Sequence, residues 1–454
     1  MEFVKRTRIA APAGEVFRWH ARPGAIERLT PPWTKLHVIE RSGGIENGAR
    51  VVFEVPMGPL RVRWVAEHRD YVEGVQFRDV QLEGPFARWE HTHRVEPDGP
   101  DACVLEDRIA YEPPLGSLGA LVGGAFVGGM LERVFAYRHR VTANDLATHG
   151  AYKGAPLHVA VTGASGLVGS ALVPFLTTGG HRVTRLVRTK PKAGDDAIRW
   201  NPAKGTIDAA SLDGVDAVVH LAGESVAGGR WTAERKRRIL TSRTQSTTLL
   251  SETLAQLPHP PKVLVSASAI GFYGDRGTEV VREESAGGTG FLADVCREWE
   301  ASTHSAERAG IRVVHLRIGV VLSAAGGALA AMLIPFKLGV GGRLGSGAQV
   351  MSWIALDDLL GAILHAIRTD ALHGPVNAVA PNAVTNAEFT RVLGSVLHRP
   401  TVLPVPGAAL RLALGAAADE MLLGGQRVDP ARLRATQYGF RLAHLEDALR
   451  HTLG

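Results

Sequence analysis

The sequence predicts an α/β fold of the Rossmann type, with a doubly wound parallel sheet, in its C-terminal part and an α+β domain before it. The chain has 454 residues, which is more than one ordinary hydrophobic core holds. Residues 1–150 alternate apolar and polar side chains and then continue as one long helical pattern. Residues 157–454 instead alternate short apolar runs with helical segments, and a glycine-rich turn follows the first run. These observations indicate domains of two different fold classes.

The composition is that of a globular protein and argues against nucleic-acid binding. Apolar residues make up 45% and charged residues 21% of the chain, and the net charge is +6. The basic residues are scattered in short clusters such as ERKRR at 234–238, which are typical of solvated helix faces. The two cysteines, Cys103 and Cys296, are far apart in sequence, so we expect neither a disulfide framework nor a thiolate metal site.

The apolar segments do not require a membrane, and we expect a cytoplasmic protein. The N-terminal stretch MEFVKRTRIAAP lacks the apolar core of a signal peptide. The stretch Leu115–Leu131 is apolar, but it is short for a membrane span and rich in glycine. Its continuation has the pattern of an amphipathic helix. We therefore predict a buried helix packed closely on a sheet.

Residues 1–150 form the first predicted domain, an antiparallel sheet around one helix. Three stretches have the two-residue period of half-buried strands: Ala49–Val55, Leu60–His68 and Ala102–Glu112. Helical spacing extends from about Leu118 to Leu146, and Thr148–Leu157 has the composition of a linker. A sheet wrapped around one long helix encloses an interior cavity.

Two histidines in this domain, His91 and His93 in WEHTHRV, share one face of a predicted strand. Metal binding is one interpretation of the pair. Two histidines without a third ligand nearby are more often surface residues, so we predict no metal site.

The first domain resembles the START-like helix-grip superfamily (SRPBCC, polyketide-cyclase-like). The stretch AAPAGEVFRWHARPGAIERLTPPW, Ala10–Trp33, carries the resemblance: a strand, a helix opened by proline, and a loop before the strands. The resemblance implies a helix-grip fold and a hydrophobic ligand held between the sheet and the long helix.

Residues 157–400 form the second predicted domain. Its strands are mostly continuous apolar runs, which is typical of parallel strands that are buried on both faces. They are His158–Gly163, His181–Arg188, Asp216–Gly223, Lys262–Ser268 and Arg312–Gly319.

The turn VTGASGLVGS, Val161–Ser170, follows the first of these strands and opens a helix, as a dinucleotide-binding loop does. Gly163 permits the tight turn, Gly166 lets the backbone approach a pyrophosphate, and Gly169 lets the helix pack close to the strand. The free N–H groups at the start of the helix then face the phosphates. We predict cofactor contacts from Gly163, Ser165, Gly166, Leu167 and Val168.

The end of the second strand indicates which dinucleotide is bound. A site for NAD presents an acid here, whereas this chain has Val187, Arg188 and, shortly after, Lys190. A guanidinium can bind a 2′-phosphate at two points. We therefore predict NADP rather than NAD; the alternative is that Arg188 and Lys190 are exposed loop charges.

The TGxxGxxG spacing resembles the short-chain dehydrogenase/reductase superfamily, in its extended, epimerase-like branch. Several blocks resemble one family within that branch, the NAD-dependent epimerase-like proteins, and Leu423–Arg441 resembles the small C-terminal domain of that family, predicted here at 401–454. The blocks are Leu221–Arg243, Ser266–Gly277, Phe291–Glu300, Leu316–Leu329, Pro335–Asp358 and Gly374–Phe389.

The resemblance implies roles for particular residues. Ser268 matches the catalytic serine of the superfamily, although a serine at a strand end also caps local backbone. Tyr273 matches a tyrosine that flanks the site, and Arg317 is expected to steady loops over the cofactor. Arg243 is a candidate for binding the cofactor or a substrate anion, or is a helix-surface arginine. The remaining cofactor contacts that the resemblance implies are Leu221, Ala222, Gly223 and Ser266.

The chain departs from the superfamily at its acid/base pair, a tyrosine followed four residues later by a lysine. Here these positions hold Phe291 and Val295, which cannot exchange a proton. Tyr273, Cys296 or Asp294 are candidate substitutes. Two hypotheses follow: an NADP-dependent oxidoreductase or epimerase-like enzyme acting on a small substrate, or a non-catalytic sensor that binds NADP(H) and a ligand.

Overall fold

The computed structural model describes residues 1–34, 36–57, 60–113, 116–152, 154–192 and 194–454. The chain divides into two compact units. Unit 1 comprises Met1–Ala155, Pro174–His181 and Gly454, and unit 2 comprises Pro156–Val173 and Arg182–Leu453.

The described residues of Met1–Ala155 in unit 1 form one antiparallel sheet and three helices. The sheet has seven strands in the order β1-β7-β6-β5-β4-β3-β2. This confirms the predicted α+β helix-grip class, with a helix that begins directly after Pro12. In chain order the elements are β1 (Glu2–Ile9), α1 (Ala13–Ala21), α2 (Ala25–Leu29), β2 (His37–Ser42), β3 (Arg50–Met57), β4 (Leu60–Val72), β5 (Gln76–Glu83), β6 (Arg88–Pro97), β7 (Cys103–Glu112) and α3 (Gly116–Gly150).

The long helix α3 packs on the sheet through its second half. Leu131, Phe135 and His139 are spaced four residues apart and are buried, as one face of a helix requires. The predicted burial of the preceding segment is wrong at Phe126, which is 77% exposed. No helix among the described residues is both long and apolar enough to cross a membrane.

The histidine pair of β6 lies inside unit 1. His91 is 3% and His93 is 6% exposed, so the expectation that the pair lies at the surface is wrong. The two rings lie 3.8 Å apart, centroid to centroid. Asp79 on the neighbouring strand supplies the third group near them, which the sequence spacing did not indicate.

The chain after Pro156 forms an α/β structure. Its strands are β8 (His158–Thr162), β9 (Arg182–Val187), β10 (Ala197–Asn201), β11 (Thr206–Ile207), β12 (Ala217–His220), β13 (Val263–Ala269), β14 (Val280–Val281), β15 (Arg312–Ile318), β16 (Val320–Leu322), β17 (Val350–Met351), β18 (Trp353–Ala355), β19 (Gly374–Ala378), β20 (Val384–Thr385) and β21 (Arg427–Val428). Its helices are α4 (Leu167–Thr178), α5 (Ala233–Ala255), α6 (Phe291–Ala301), α7 (His304–Arg308), α8 (Gly327–Lys337), α9 (Leu356–Arg368), α10 (Asn386–Leu397), α11 (Gly407–Leu414), α12 (Ala416–Ala418), α13 (Ala431–Ala435) and α14 (Leu445–Leu453).

The main sheet of unit 2 has eight strands in the order β11-β10-β9-β8-β12-β13-β15-β19. All its pairs are parallel except β10 with β11. All four residues of β12 are buried, as the continuous apolar run predicted. The strand order reverses between β8 and β12, which is where such sheets bind ligands at the carboxyl ends of their strands. The predicted doubly wound Rossmann-type fold is confirmed.

The segment after residue 400 shares a core with the rest of unit 2. Leu445 and Leu449 of α14 pack in one cluster with Trp353 and Phe389. The short strand β21 pairs in parallel with β14. The separate small domain at 401–454 stays a prediction.

Candidate functional site

Only glycine fits at one position in the loop between β8 and α4 and at one position in the first turn of α4. Gly163 has φ +67°, and a Cβ there would lie 2.8 Å from the backbone of Leu221. A Cβ on Gly169 would lie 2.3 Å from the carbonyl oxygen of Gly163. The loop therefore lies close against the end of β12 and turns directly into α4.

The open side of this loop presents backbone donors. Helix α4 begins at Leu167, and the N–H groups in the first turn of a helix have no carbonyl partner within it. Ser165 and Gly166 are exposed, and Leu167 and Val168 are half-buried. The predicted loop residues thus lie together at a helix N-terminus, which suits a phosphate group.

A buried hydrogen-bond network that sequence reasoning missed joins the ends of β8 and β12. Thr162 Oγ1 accepts hydrogen bonds from the N–H groups of Leu221 (3.1 Å) and Ala222 (3.2 Å). Its hydroxyl lies 2.8 Å from Nδ1 of His220, whose Nε2 lies 2.9 Å from Oγ1 of Thr247. Burial lowers the pKa of His220 to about 3, so this imidazole is neutral. The network positions the backbone at Leu221 and Ala222 beside the loop.

Arg188 lies beside the same loop and is free to bind a ligand. Leu186 pairs with Thr162 in the parallel register of β8 and β9, so Val187 and Arg188 continue alongside Gly163. Val187 is half-buried and Arg188 is exposed. Arg188 makes no ion pair with any residue that the structure describes.

Ser268 belongs to a second buried network at the carboxyl end of β13. Its Oγ donates to Oε1 of Glu300 (2.7 Å). Arg317 holds the same carboxylate with two hydrogen bonds of 2.9 Å, from Nε and from Nη2. Burial raises the pKa of Glu300, but the hydrogen bonds and charge of Arg317 outweigh burial, so the pKa lies below its usual value. Glu300 was not among the predicted site residues, because no local pattern indicates which strand a helix residue faces.

Tyr273 and Arg317 meet in the same network. Arg317 donates from Nη1 to the Tyr273 hydroxyl (3.0 Å), which donates in turn to Oδ1 of Asn377 (2.7 Å). Tyr273 is fully buried and its pKa is raised, chiefly by burial. The register explains this meeting, because Arg317 stands opposite Ser268 on one side and opposite Asn377 on the other.

Arg243 secures the loop after β12. Its Nη1 donates to the carbonyl oxygens of Glu224 (2.9 Å) and Ile239 (3.0 Å). Its guanidinium lies 4.8 Å from the ring centre of Trp299, and a Cβ on Gly223 would lie 3.3 Å from it. Arg243 is therefore half-buried between loop and helix rather than on the open helix surface. Burial lowers its pKa.

Ser266 lies deeper in the same sheet. It is 1% exposed and stands opposite His220 in the register of β12 and β13.

The two positions where the superfamily has its acid/base pair are packed in an apolar cluster. Phe291 opens α6, and Val295, one turn later, is 3% exposed. Both belong to a cluster with Trp231, whose ring centre lies 5.1 Å from that of Phe291. The ammonium of Lys236 lies 4.9 Å from the centre of the Phe291 ring.

Two of the candidate substitutes lie on the same helix. Burial raises the pKa of Cys296 to about 11, so its thiol stays protonated at neutral pH. Asp294 is exposed and forms an ion pair with Arg297. Cys296 therefore provides no thiolate near neutral pH, and the Asp294 carboxylate is held by Arg297.

Three family models match this chain. The NAD dependent epimerase/dehydratase family matches residues 159–379. A domain of unknown function matches 405–452. The polyketide cyclase / dehydrase and lipid transport family matches 1–149.

Individual proteins match as well. An epimerase family protein of Mycobacterium bovis is 45% identical over 64% of this chain and 96% of its own length. A nucleoside-diphosphate sugar epimerase from Corynebacterium glutamicum has a solved structure with 35% identity, TM-score 0.82, and coverage of 100% of this chain and 90% of that one. A human epimerase family protein solved with NADPH has 36% identity, TM-score 0.60, and coverage of 65% of this chain and 99% of that one.

Proposed function

The chain belongs to the NAD dependent epimerase/dehydratase family, and from that premise we propose that it is an NADP-dependent oxidoreductase or epimerase-like enzyme. The observation that carries the proposal is the loop at Gly163–Gly169. A Cβ on Gly163 or Gly169 would collide with backbone, and the start of helix α4 leaves N–H donors open. These residues fit a pyrophosphate. Bound there, the dinucleotide supplies hydride-transfer chemistry to a small-molecule substrate.

The preference for NADP rests on Arg188. Its side chain is exposed beside the loop, and Lys190, two residues on, is exposed as well. A guanidinium there binds a 2′-phosphate bidentately, whereas an NAD site needs an acceptor for the ribose hydroxyls. The human relative was solved with NADPH, which agrees with this assignment.

Ser268 is the proposed substrate-facing catalytic group. Because its hydroxyl hydrogen points to Glu300, its oxygen offers lone pairs that accept from a substrate hydroxyl. The ionised Glu300, held by Arg317, keeps the serine in this orientation. Tyr273 is the alternative proton carrier, adjacent through Arg317. Ser266 and Arg243 support the strand and loop around these groups.

We propose further that unit 1 binds a small hydrophobic ligand. Four half-buried aromatic side chains lie close together. The ring centres of Phe53, Phe86 and Trp89 each lie 5.2–5.7 Å from the ring centre of Trp64. Partly accessible rings of this kind suit an apolar partner.

The experiment is native mass spectrometry of the purified chain, followed by denaturing release of bound nucleotide and an NADPH titration. A matched pair of variants sharpens it. Gly166→Asp puts a carboxylate at the exposed loop and should abolish NADPH binding by repelling the phosphates. Its Cβ would lie 3.2 Å from the carbonyl oxygen of Gly163, so circular dichroism checks that the variant is folded. Gly439→Asp, at an exposed glycine with open space around it, should bind as the unaltered chain does. A chain that neither carries nor takes up NADPH would overturn the proposal.

A second function is favoured by one observation. Phe291 and Val295 are packed among apolar side chains, so the chain lacks the acid/base pair of its superfamily. A sensor that binds NADP(H) and a ligand without turnover needs no such pair. Deuteride transfer from labelled NADPH to any added carbonyl compound would exclude the sensor. Tight NADPH binding without transfer across a substrate panel would favour it.

A further inference from the structure

A cluster of buried imidazole and carboxylate groups lies on four adjacent strands of unit 1. The register brings the groups together: Asp79 stands opposite His68 on one side and opposite His91 on the other. His93 stands opposite Asp107 on the next strand. No step of the proposed oxidoreductase function uses these residues.

We propose that Asp79, His91 and His93 bind a divalent transition-metal ion of the Zn²⁺ type. Oδ2 of Asp79 lies 3.3 Å from Nδ1 of His91 and 3.2 Å from Nε2 of His93. The three ligand atoms lie within 4.8 Å of one another. Metal–ligand bonds of roughly 2.0–2.1 Å in a tetrahedron give ligand–ligand distances of about 3.3 Å, so two of the three edges already have the length that a bound ion requires.

The other ring nitrogen of each histidine lies beside the carboxylate of Asp107, and that of His91 is hydrogen-bonded to it. Nε2 of His91 lies 2.8 Å from Oδ1 of Asp107, and Nδ1 of His93 lies 2.6 Å from the same oxygen, though off the line of a hydrogen bond. The second oxygen of Asp107 lies 2.6 Å from Nε2 of His139. Such outer carboxylates fix the ring tautomer and orient the nitrogen that binds the metal. Asp107 is thus a positioning residue for His91, and its carboxylate also lies beside the ring of His93.

The ligand set indicates the class of metal and leaves room for chemistry. Two imidazoles and one carboxylate suit Zn²⁺, Fe²⁺ or Co²⁺, whereas Mg²⁺ and Ca²⁺ prefer oxygen ligands alone. Three protein ligands leave a coordination position open for water or for an oxygen of a bound ligand. The Asp79 side chain is 22% exposed, which gives an ion a path from solvent.

The test uses the full chain, stripped with a chelator and titrated with Zn²⁺, Co²⁺ and Mg²⁺ separately. Calorimetry should give one site for Zn²⁺, and Co²⁺ should produce the visible absorption of a four- or five-coordinate centre, with no binding of Mg²⁺. Asp79→Asn and His93→Gln should each abolish the site. Asp107→Asn should weaken Zn²⁺ binding about 10–100-fold while keeping the Co²⁺ spectrum. His37→Gln, at an exposed histidine of the same sheet, is the matched control.

Circular dichroism checks that each variant is folded. Should both ligand variants fail to fold, X-ray absorption of the Zn²⁺-loaded unaltered chain decides, because two imidazoles and one carboxylate must appear in the first coordination sphere. An unaltered chain that binds none of the transition metals overturns the proposal and leaves the cluster as a hydrogen-bonded network. Binding that His93→Gln leaves unchanged overturns it too. The outcome is independent of NADPH binding, so this proposal and the proposed function fail separately.

Discussion

Replacing Arg188 by aspartate should change the choice of dinucleotide. The guanidinium is exposed beside Gly163 and pairs with no described acid, so its removal leaves no buried charge and should leave folding unaffected. A charge-assisted hydrogen bond contributes about 1.5–3 kcal/mol. At about 1.4 kcal/mol per tenfold, the Kd for NADPH should rise roughly 10–150-fold. NADH has no 2′-phosphate, so its Kd should change by less than about threefold, since the lost contact is absent from that complex.

The assay is the quenching of intrinsic fluorescence, or calorimetry, with NADPH and NADH at physiological salt. Arg182→Asp is the matched control, because Arg182 is an exposed arginine at the start of β9, paired with Asp196 at 3.2 Å. It begins the strand that Arg188 follows, about 20 Å away at roughly 3.3 Å per residue. Screening acts over about 8 Å, so Arg182→Asp should leave both affinities unchanged. Equal losses for NADPH and NADH in Arg188→Asp, or an equal effect from Arg182→Asp, would remove Arg188 from the site.

Three further results are expected from the buried groups of unit 2. Glu300→Ala leaves the buried guanidinium of Arg317 unpaired and should lower the free energy of unfolding by about 3–5 kcal/mol. The control, Glu298→Ala at an exposed position, should change it by under about 0.5 kcal/mol. Equal denaturation midpoints for the two variants would contradict the buried pair. Tyr273→Phe should cost about 1–3 kcal/mol by leaving its partners unpaired; lost turnover at unchanged stability would instead make Tyr273 the proton carrier. Because the pKa of Cys296 is about 11, only about one part in a thousand of its thiol is thiolate at pH 8. Iodoacetamide should therefore label neither Cys296 nor the buried Cys103 before the chain unfolds. Labelling of the native chain would contradict this.

The elements that could be predicted from the sequence are those that neighbouring residues in the chain determine. The apolar runs of β8 and β12, and the loop at Gly163, have periods and spacings that are readable within ten to twenty residues, roughly the span of one strand, turn and helix. The burial of His91 and His93 was not readable in this way. It depends on Asp79 and Asp107, which reach the pair only through strand register, and a shift of one residue would turn either carboxylate to the opposite face.

The same division holds at the candidate site. Gly163 and Arg188 follow directly from strand ends, so their neighbourhood was predictable. Thr162 was missed because it accepts hydrogen bonds from two backbone N–H groups that follow β12, some sixty residues later. Glu300 was missed because α6 must first be packed against β13 before its carboxylate meets Ser268.

A substitution of Ser268 distinguishes the two proposed functions, the enzyme and the non-catalytic sensor. Glu300 stays ionised and the thiol of Cys296 stays protonated, so the groups that face β13 from α6 supply an acceptor rather than an acid near neutral pH. That suits removal of a proton from a substrate hydroxyl during oxidation. Ser268→Ala removes the oxygen that would accept, while Arg317 still holds Glu300 through two hydrogen bonds. An enzyme should then lose about 100-fold or more in kcat with its Kd for NADPH unchanged. An unchanged kcat would exclude Ser268 from the reaction. The sensor function requires instead that the unaltered chain shows no turnover and that Ser268→Ala binds its ligand as the unaltered chain does.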